Sequence, residues 1–380
     1  MAFMQSTTRA PGLGRQIVPI GIVCLIVFLM PLVLDNDFLL AKLARYLVLG
    51  MLAMSLSLSW GFAGILNLGQ AMSFGLGSYA LAMALKLKTV PVHTGAEGLP
   101  DFMVWNNVTR LPWFWVPFEW MGVALLAGVL VPAALAAGLG WFMFRGRVTG
   151  VYVAIITLAT MVVVNLLIID QQACTGGFNG ITDLAQLQLF GITFDAYGRS
   201  TYYLVAVCLT ASLLLALAFT RTKAGLVIQA VRDHEARVRY FGYDVAAYKI
   251  VAFALSAAIA GLAGMLYTII MEFASPTFLG VPLSLSVVVW CAVGGRQSLV
   301  GAFLGAVLVA GMQGVLSESA TFLETWTLVM GVLFVLVVLF LPKGLAGLAE
   351  AIGARLDWRR RSQARPGATL ASREPTEAGL

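Results

Sequence analysis

The sequence has little charge. Only 11% of its 380 residues are Asp, Glu, Lys or Arg, and two are histidine. Soluble domains usually carry about 25% charge, so an ordinary soluble globular chain is excluded. His93 and His234 are too few and too scattered for a histidine-based metal site. The four cysteines form neither a CxxC pair nor a metal-ligand cluster. Cys24, Cys208 and Cys291 fall in apolar runs and read as small core residues, while Cys174 lies in a loop without an evident partner. The phosphate-cradling pattern GxxxxGK[ST] is missing, as are HExxH, GxSxG and a paired-carboxylate site. A basic face with aromatic platforms, which single-stranded nucleic acid would need, is also lacking. The chain is therefore not expected to be an enzyme, and no metal or cofactor is expected on it. Any nucleotide hydrolysis would have to come from another polypeptide.

What is abundant is apolar surface. Hydrophobic residues make up 60% of the chain and the mean hydropathy is +0.91. They come in blocks long enough to cross hydrocarbon, which takes roughly 20 uncharged residues. Helices satisfy their backbone hydrogen bonds internally and so tolerate lipid. The short alternating strands of a membrane barrel are not seen. The pattern predicts an all-α polytopic membrane protein with about ten transmembrane helices. The expected spans are 17–34, 43–61, 67–85, 120–143, 150–169, 202–220, 247–270, 283–295, 299–316 and 324–341. The eighth and ninth are short and read as broken or re-entrant. Residues 1–16 form an N-terminal segment without a clean cleavage site. Residues 17–342 form the transmembrane domain, including the charged loop 221–246, and 343–380 form a tail whose distal part reads as disordered.

Ten spans with a cytoplasmic N-terminus put 18 of the 24 Lys and Arg residues on the cytoplasmic side. The positive-inside rule favours that arrangement, with both termini cytoplasmic. The net charge of +6 then reflects orientation rather than a nucleic-acid partner.

Three loops have distinct compositions. The external stretch 86–119 gathers Trp105, Trp113 and Trp115, with Trp120 just after it. It reads as an interfacial aromatic belt or as a docking surface for an external partner. The stretch Gln171–Asp183 has Gly176, Gly177 and Gly180, which suit tight turns or backbone donors at a pore mouth. Within 221–246, residues 224–241 predict an amphipathic helix. Val227, Val231, Ala236 and Tyr240 would share its apolar surface, Arg232, Asp233 and Glu235 would stay wet, and Gly242 would end it. This segment reads as a partner-contact element rather than a plain connector.

The spans hold few ionisable residues, which argues against a proton relay. Their polar set is neutral and includes Ser55, Asn67, Gln70, Tyr79, Tyr152, Thr157 and Asn165. An unsatisfied amide in hydrocarbon costs several kcal/mol. Asn67, Gln70 and Asn165 therefore glue helices together or line a passage for a small neutral solute. Asn67, Gln70, Tyr152 and Thr157 are the expected pathway residues. Glycine is dense in GFAGILNLGQAMSFGLG and AVGGRQSLVGAFLG, which are weakly alike and hint at an internal repeat.

Five stretches carry a family resemblance: SLSWGFAGILNLGQAMSFGLGSYA, GRVTGVYVAIITLAT, TGGFNGITD, the long segment from Thr222 to Tyr267, and VGGRQSLVGAFLGAVLV. Through them the chain resembles a bacterial inner-membrane permease of the branched-chain amino acid type of ABC importer. GLPDFMVWNNVTRLPWFWVPF and QQACTGGFNGITDL resemble most the urea permease of the larger subunit type. The resemblance implies a second homologous permease, two ATPase subunits that use ATP and Mg, an external solute-binding protein, and urea as the small neutral solute. It places ATPase coupling at Arg232, Asp233, Glu235 and Gly242. A branched-chain amino acid or short-amide permease is the nearest alternative, and a stand-alone channel or secondary transporter is the more distant one.

Overall fold

A computed structural model describes residues 13–89, 99–189 and 191–318, with a few positions beyond them, among them 344–347. The described chain is mainly helical. Helix α1 (Leu13–Val33) is followed by α2 (Asp37–Ser57) across a short break. Asn36 starts α2: its side chain accepts hydrogen bonds from the N–H groups of Phe38 and Leu39, satisfying donors that a helix start leaves unpaired. α2 runs on into a turn of π-helix, Leu58–Phe62, and the chain then unwinds before α3 (Gln70–Thr89). Next come α4 (Asp101–Trp105), α5 (Met121–Arg145), α6 (Val151–Asp170) and α7 (Gln172–Thr175). A small antiparallel hairpin pairs β1 (Leu187–Leu189) with β2 (Ile192–Phe194). Five helices complete the described chain: α8 (Arg199–Arg221), α9 (Lys223–Tyr240), α10 (Val245–Met271), α11 (Val281–Gly294) and α12 (Leu299–Glu318).

Six of the described helices are long and apolar enough to cross a membrane: α2 with its π-turn, α5, α6, α8, α10 and α12. Two shorter apolar helices, Val18–Val33 and Val281–Gly294, accompany them. The expected count of about ten is thus not what the described residues give. α3 falls short because Gln70, Ser73, Ser78, Lys86 and Lys88 dilute its hydropathy. It is nevertheless largely buried, packed chiefly against α10 and α5. α11 has only 14 residues, since Pro276–Leu279 forms a 3₁₀ turn that occupies the preceding stretch. The tenth expected span, 324–341, lies almost wholly outside the described residues, as do 1–12 and most of the tail.

The helices divide into an inner and an outer set. In the most apolar stretches of α2 and α10, 67% of residues are buried, against 22% in α5 and α6. Inner helices meet backbone to backbone. A Cβ on Gly264 would collide with the Phe74 carbonyl, and one on Gly77 with the Gly261 carbonyl. Small residues let apolar helices approach that closely when lipid supplies no hydrophobic drive.

α8 has 23 residues and so spans about 35 Å between two different ends. At one end, Lys86 is buried and bonds both Asp101 at 2.9 Å and the Thr182 carbonyl at 2.9 Å. Trp115 is fully buried and donates its indole N–H to the Cys174 carbonyl at 3.0 Å. Trp105, Trp113 and Trp120 remain exposed. The tryptophan group therefore splits into one core anchor and three surface rings. The other end carries α9.

Candidate functional site

Two of the three amides expected to demand partners, Asn67 and Gln70, have found them. Asn67 Nδ2 donates to Gln70 Oε1 at 2.6 Å, and Asn67 Oδ1 accepts from the Gly69 N–H at 2.9 Å. Gln70 Nε2 donates to Ser55 Oγ at 2.7 Å, and to the hydroxyl and carbonyl of Ser256 at 3.1 and 3.2 Å. Ser256 Oγ in turn donates to the Ser55 carbonyl at 2.6 Å. One glutamine thus ties α2, α3 and α10 together. Thr157 on α6 accepts from the Leu68 N–H at 3.1 Å and donates to the Ala154 carbonyl at 3.0 Å. Ser284 on α11 donates to the Leu68 carbonyl. The unwound link before α3 is thereby held between α6 and α11.

Asn67, Gln70 and Thr157 come together in this buried knot. Tyr152 does not join it and is 72% exposed. It precedes Thr157 by five positions, about 140° round a helix, so the two face away from each other. In this conformation the knot fastens helices, because the Asn67 and Gln70 amides are spent on one another and on serines. Two other buried atoms lack partners among the described residues: the Tyr79 hydroxyl on α3 and Asn165 Oδ1 on α6. Tyr79 belongs to an apolar cluster against which Val164 and Ile168 of α6 also pack. An unpaired polar atom in a dry interior calls for an explanation such as water or a ligand.

α9 forms where expected. Thr222 caps it by accepting from the Gly225 N–H at 3.1 Å. Its inner face differs from the expected one. Ile228, Val231 and Val238 are buried, Ala236 is exposed and Tyr240 is 89% exposed. Glu235 lies between Val231 and Val238 on the inner stripe. Its carboxylate takes Lys249 of α10 at 2.6 Å and Arg239 at 2.7 Å, so a glutamate that looked wet can point inward. His234 interrupts the helix with φ −150° and ψ 79°.

Arg232 is likewise not simply solvated. Its NH1 donates to the Gly61 carbonyl at 2.7 Å, its Nε binds the exposed Asp233 at 2.9 Å, and its stem packs over Gly64. Gly61 sits against the Arg296 carbonyl, to which Ser57 Oγ also donates at 2.7 Å. The Arg296 guanidinium lies 5.5 Å from the Trp60 ring centroid. The two glycine-rich stretches therefore meet beside α9. Gly242 ends that helix at φ +85°, its N–H donating to the Arg239 carbonyl at 3.0 Å. Among the described residues, no three His, Cys, Asp or Glu side chains gather as a metal site.

The profile of the family described as branched-chain amino acid transport system / permease component matches residues 38–338. The chain belongs to this permease family. The chain is 29% identical over 322 residues to the high-affinity branched-chain amino acid transport system permease protein LivM of Salmonella typhimurium, covering 79% of this chain and 67% of that protein. It is 28% identical over 324 residues to the protein of the same description in Escherichia coli K12, with the same coverage. A probable branched-chain amino acid transport permease protein LivM of Methanocaldococcus jannaschii is 26% identical over 229 residues, 57% of this chain and 63% of that one. No solved structure matches the chain.

For this permease, the rule that buried amides need partners singled out Asn67 and Gln70, and Thr157, expected in the pathway, lies in the same knot. Sequence reasoning missed Ser256, whose small side chain on a mainly apolar helix gives no signal by itself. Ser57 was in the expected buried polar set, but its bond to the Arg296 carbonyl and the Trp60–Arg296 contact were not foreseen. Arg296 was visible as a lone cation between two short spans, but its contact with the first glycine-rich stretch is long-range.

Proposed function

We propose that this permease is the membrane subunit of an ATP-driven importer in a bacterial inner membrane, and that its solute is a branched-chain amino acid. The observation that carries the solute is the match over residues 38–338 to permease components of branched-chain amino acid systems. α9 would dock on a partner ATPase that binds ATP and Mg, and Arg232 would pass its movement to the Gly61 turn. An external binding protein would deliver solute at the tryptophan-bearing end, and a second, homologous permease would complete the passage. Tyr79 and Asn165 are the proposed solute-facing groups, because the Tyr79 hydroxyl and Asn165 Oδ1 are buried atoms with no hydrogen-bond partner among the described residues. The Asn67–Gln70–Thr157 knot would hold the adjoining helices and release them when the pathway opens.

Urea is the second reading. It rests on the external stretches 98–118 and 171–184 and on the neutral polar groups of the interior, which suit an uncharged amide better than a zwitterion. Uptake of labelled leucine and labelled urea by cells lacking the gene separates the two. Saturable leucine uptake lost on deletion and restored by the intact gene supports the first reading. Loss of urea uptake alone overturns it in favour of the second.

Orientation has its own test. Cys174 lies outside the long helices, and burial pushes its thiol above the ordinary range. A membrane-impermeant maleimide added to intact spheroplasts is expected to label it slowly at neutral pH and faster as pH rises, because only the thiolate reacts. Labelling only from the cytoplasmic face would reverse the proposed orientation.

A further inference from the structure

At the α9 end, a cleft of about 240 Å³ opens between the close of α5, the turn to α6, and the junction of α9 with α10. Four cations line it: Arg145, Arg147, Arg239 and Lys249. Its two carboxylates are fully engaged. Glu235 is shared by Arg239 and Lys249, at 2.7 and 2.6 Å. Asp244 pairs with Arg145 at 3.5 Å and also accepts from the Ala247 N–H at the start of α10. Two positive charges are left without a counter-charge. The Arg147 side chain forms no ion pair or hydrogen bond among the described residues; its backbone N–H donates to the Phe144 carbonyl at 3.2 Å, and the residue stands at φ +58°. A non-glycine residue in that region is uncommon, and here the conformation places an unpaired guanidinium at the cleft.

The surroundings point to a lipid. Trp141 and Phe142, on the last turn of α5, are exposed immediately before Arg145, as are Tyr240 and Phe241 immediately after Arg239. Exposed aromatic rings beside a basic pocket mark the headgroup level of a bilayer. Basic pockets between helix ends bind anionic headgroups. A free soluble anion would have no use for the rings.

We infer that this cleft is a binding site for the phosphate headgroup of an anionic phospholipid, with Arg147 and Arg239 as its principal contacts. Because Arg239 and Lys249 also hold Glu235 of α9, bound lipid would bear on the seating of that helix. The inference needs only that this end meets lipid headgroups, so it stands or falls independently of the proposed solute.

The test uses the full-length permease with its co-purifying subunits in a neutral detergent. Native mass spectrometry compares retention of phosphatidylglycerol and phosphatidylcholine offered in equal amounts. Phosphatidylglycerol should be retained preferentially. The Arg147→Asn change removes one charge while keeping a side chain that tolerates positive φ, and should lower the preference about fivefold. Arg199→Gln, at the opposite end, should leave it unchanged. An unaltered melting temperature shows that the variants fold. No preference in the intact protein, or an unchanged preference in Arg147→Asn with Arg239→Gln, overturns the inference. Complete displacement of the lipid by millimolar inorganic phosphate also overturns it, by showing a free-anion site.

Discussion

The two glycine-rich stretches look alike in sequence and are used differently. In the second, around Gly294, Gly301 and Gly305, a Cβ on any of the three would meet backbone of the facing helix: the Gly301 carbonyl, the Gly294 carbonyl and the Gly294 backbone. That seam between α11 and α12 is a close approach of main chains. The first stretch, 61–77, also brings main chains together, but it contributes Asn67 and Gln70 as well, whose bonds reach α2 and α10. A dry seam depends on shape and has one good arrangement. A seam fastened by amides and hydroxyls can exchange partners, with water or solute replacing a serine. The comparison sets a dry backbone seam at 294–305 against a polar, exchangeable one at 61–70.

The largest expected effect tests the dry seam. Gly294→Val drives a branched side chain into main chain on α12, where no flexible neighbour can yield. Overpacking of this kind costs about 1–3 kcal/mol and sometimes more, and this site should lie at the top of that range. Chemical unfolding in detergent should show a severe loss of stability or no folded protein. A cost below about 1 kcal/mol, well under that range, would show that the second seam gives way as readily as the first.

Gln70→Leu comes next. It leaves the Asn67 Nδ2 donor without its partner in a dry interior, while the Ser55 and Ser256 hydroxyls keep their bonds to the Leu52 and Ser55 carbonyls. An orphaned buried polar group costs about 1–3 kcal/mol. Stability should fall by that amount, and uptake should fall further if the link before α3 must be held for transport. Full uptake with normal stability would make the amide knot incidental. Arg232→Lys probes how the first seam is joined to α9. Lysine keeps the charge but cannot serve the Gly61 carbonyl and Asp233 together with a planar fork. Uptake in vesicles with the partner ATPases should drop several-fold while their ATP hydrolysis persists. Equal loss of both activities would point instead to failed assembly.

Much of this architecture was legible because hydrocarbon length leaves a plain mark. The spans expected at 120–143, 150–169, 202–220 and 299–316 fall within one or two residues of α5, α6 and α12, and within three of α8. The span expected at 67–85 corresponds to α3, which is not among the six long apolar helices, because a helix enclosed by other helices need not be apolar all round. The amide knot was half legible. Asn67 and Gln70 stand out in an apolar setting, but nothing local names Ser256, 186 residues away from Gln70. The inner face of α9 was misassigned for a related reason. Glu235 looked like a solvent-facing residue until Lys249, 14 residues on, supplied its counter-charge. Pairings that set a buried charge or amide are long-range, and periodicity within one helix does not carry them.

Tyr79→Phe should have the smallest effect on stability and is the sharpest probe of where the solute passes. The hydroxyl is buried on α3 without a partner among the described residues. Removing it deletes an unmet hydrogen-bonding group and hardly alters shape. Folding stability should stay level or rise by up to about 1 kcal/mol, since deleting an unsatisfied polar group removes its desolvation penalty. If the hydroxyl meets the solute or a water that accompanies it, uptake should nevertheless fall, with a raised KM. A fall in stability without a change in KM would mean that the hydroxyl serves the folded helices through a bound water. Gln70→Leu should show the opposite balance, with stability lost first. The contrast between these two variants, on one helix and nine positions apart, separates a group that fastens the inner helices from one that waits for cargo.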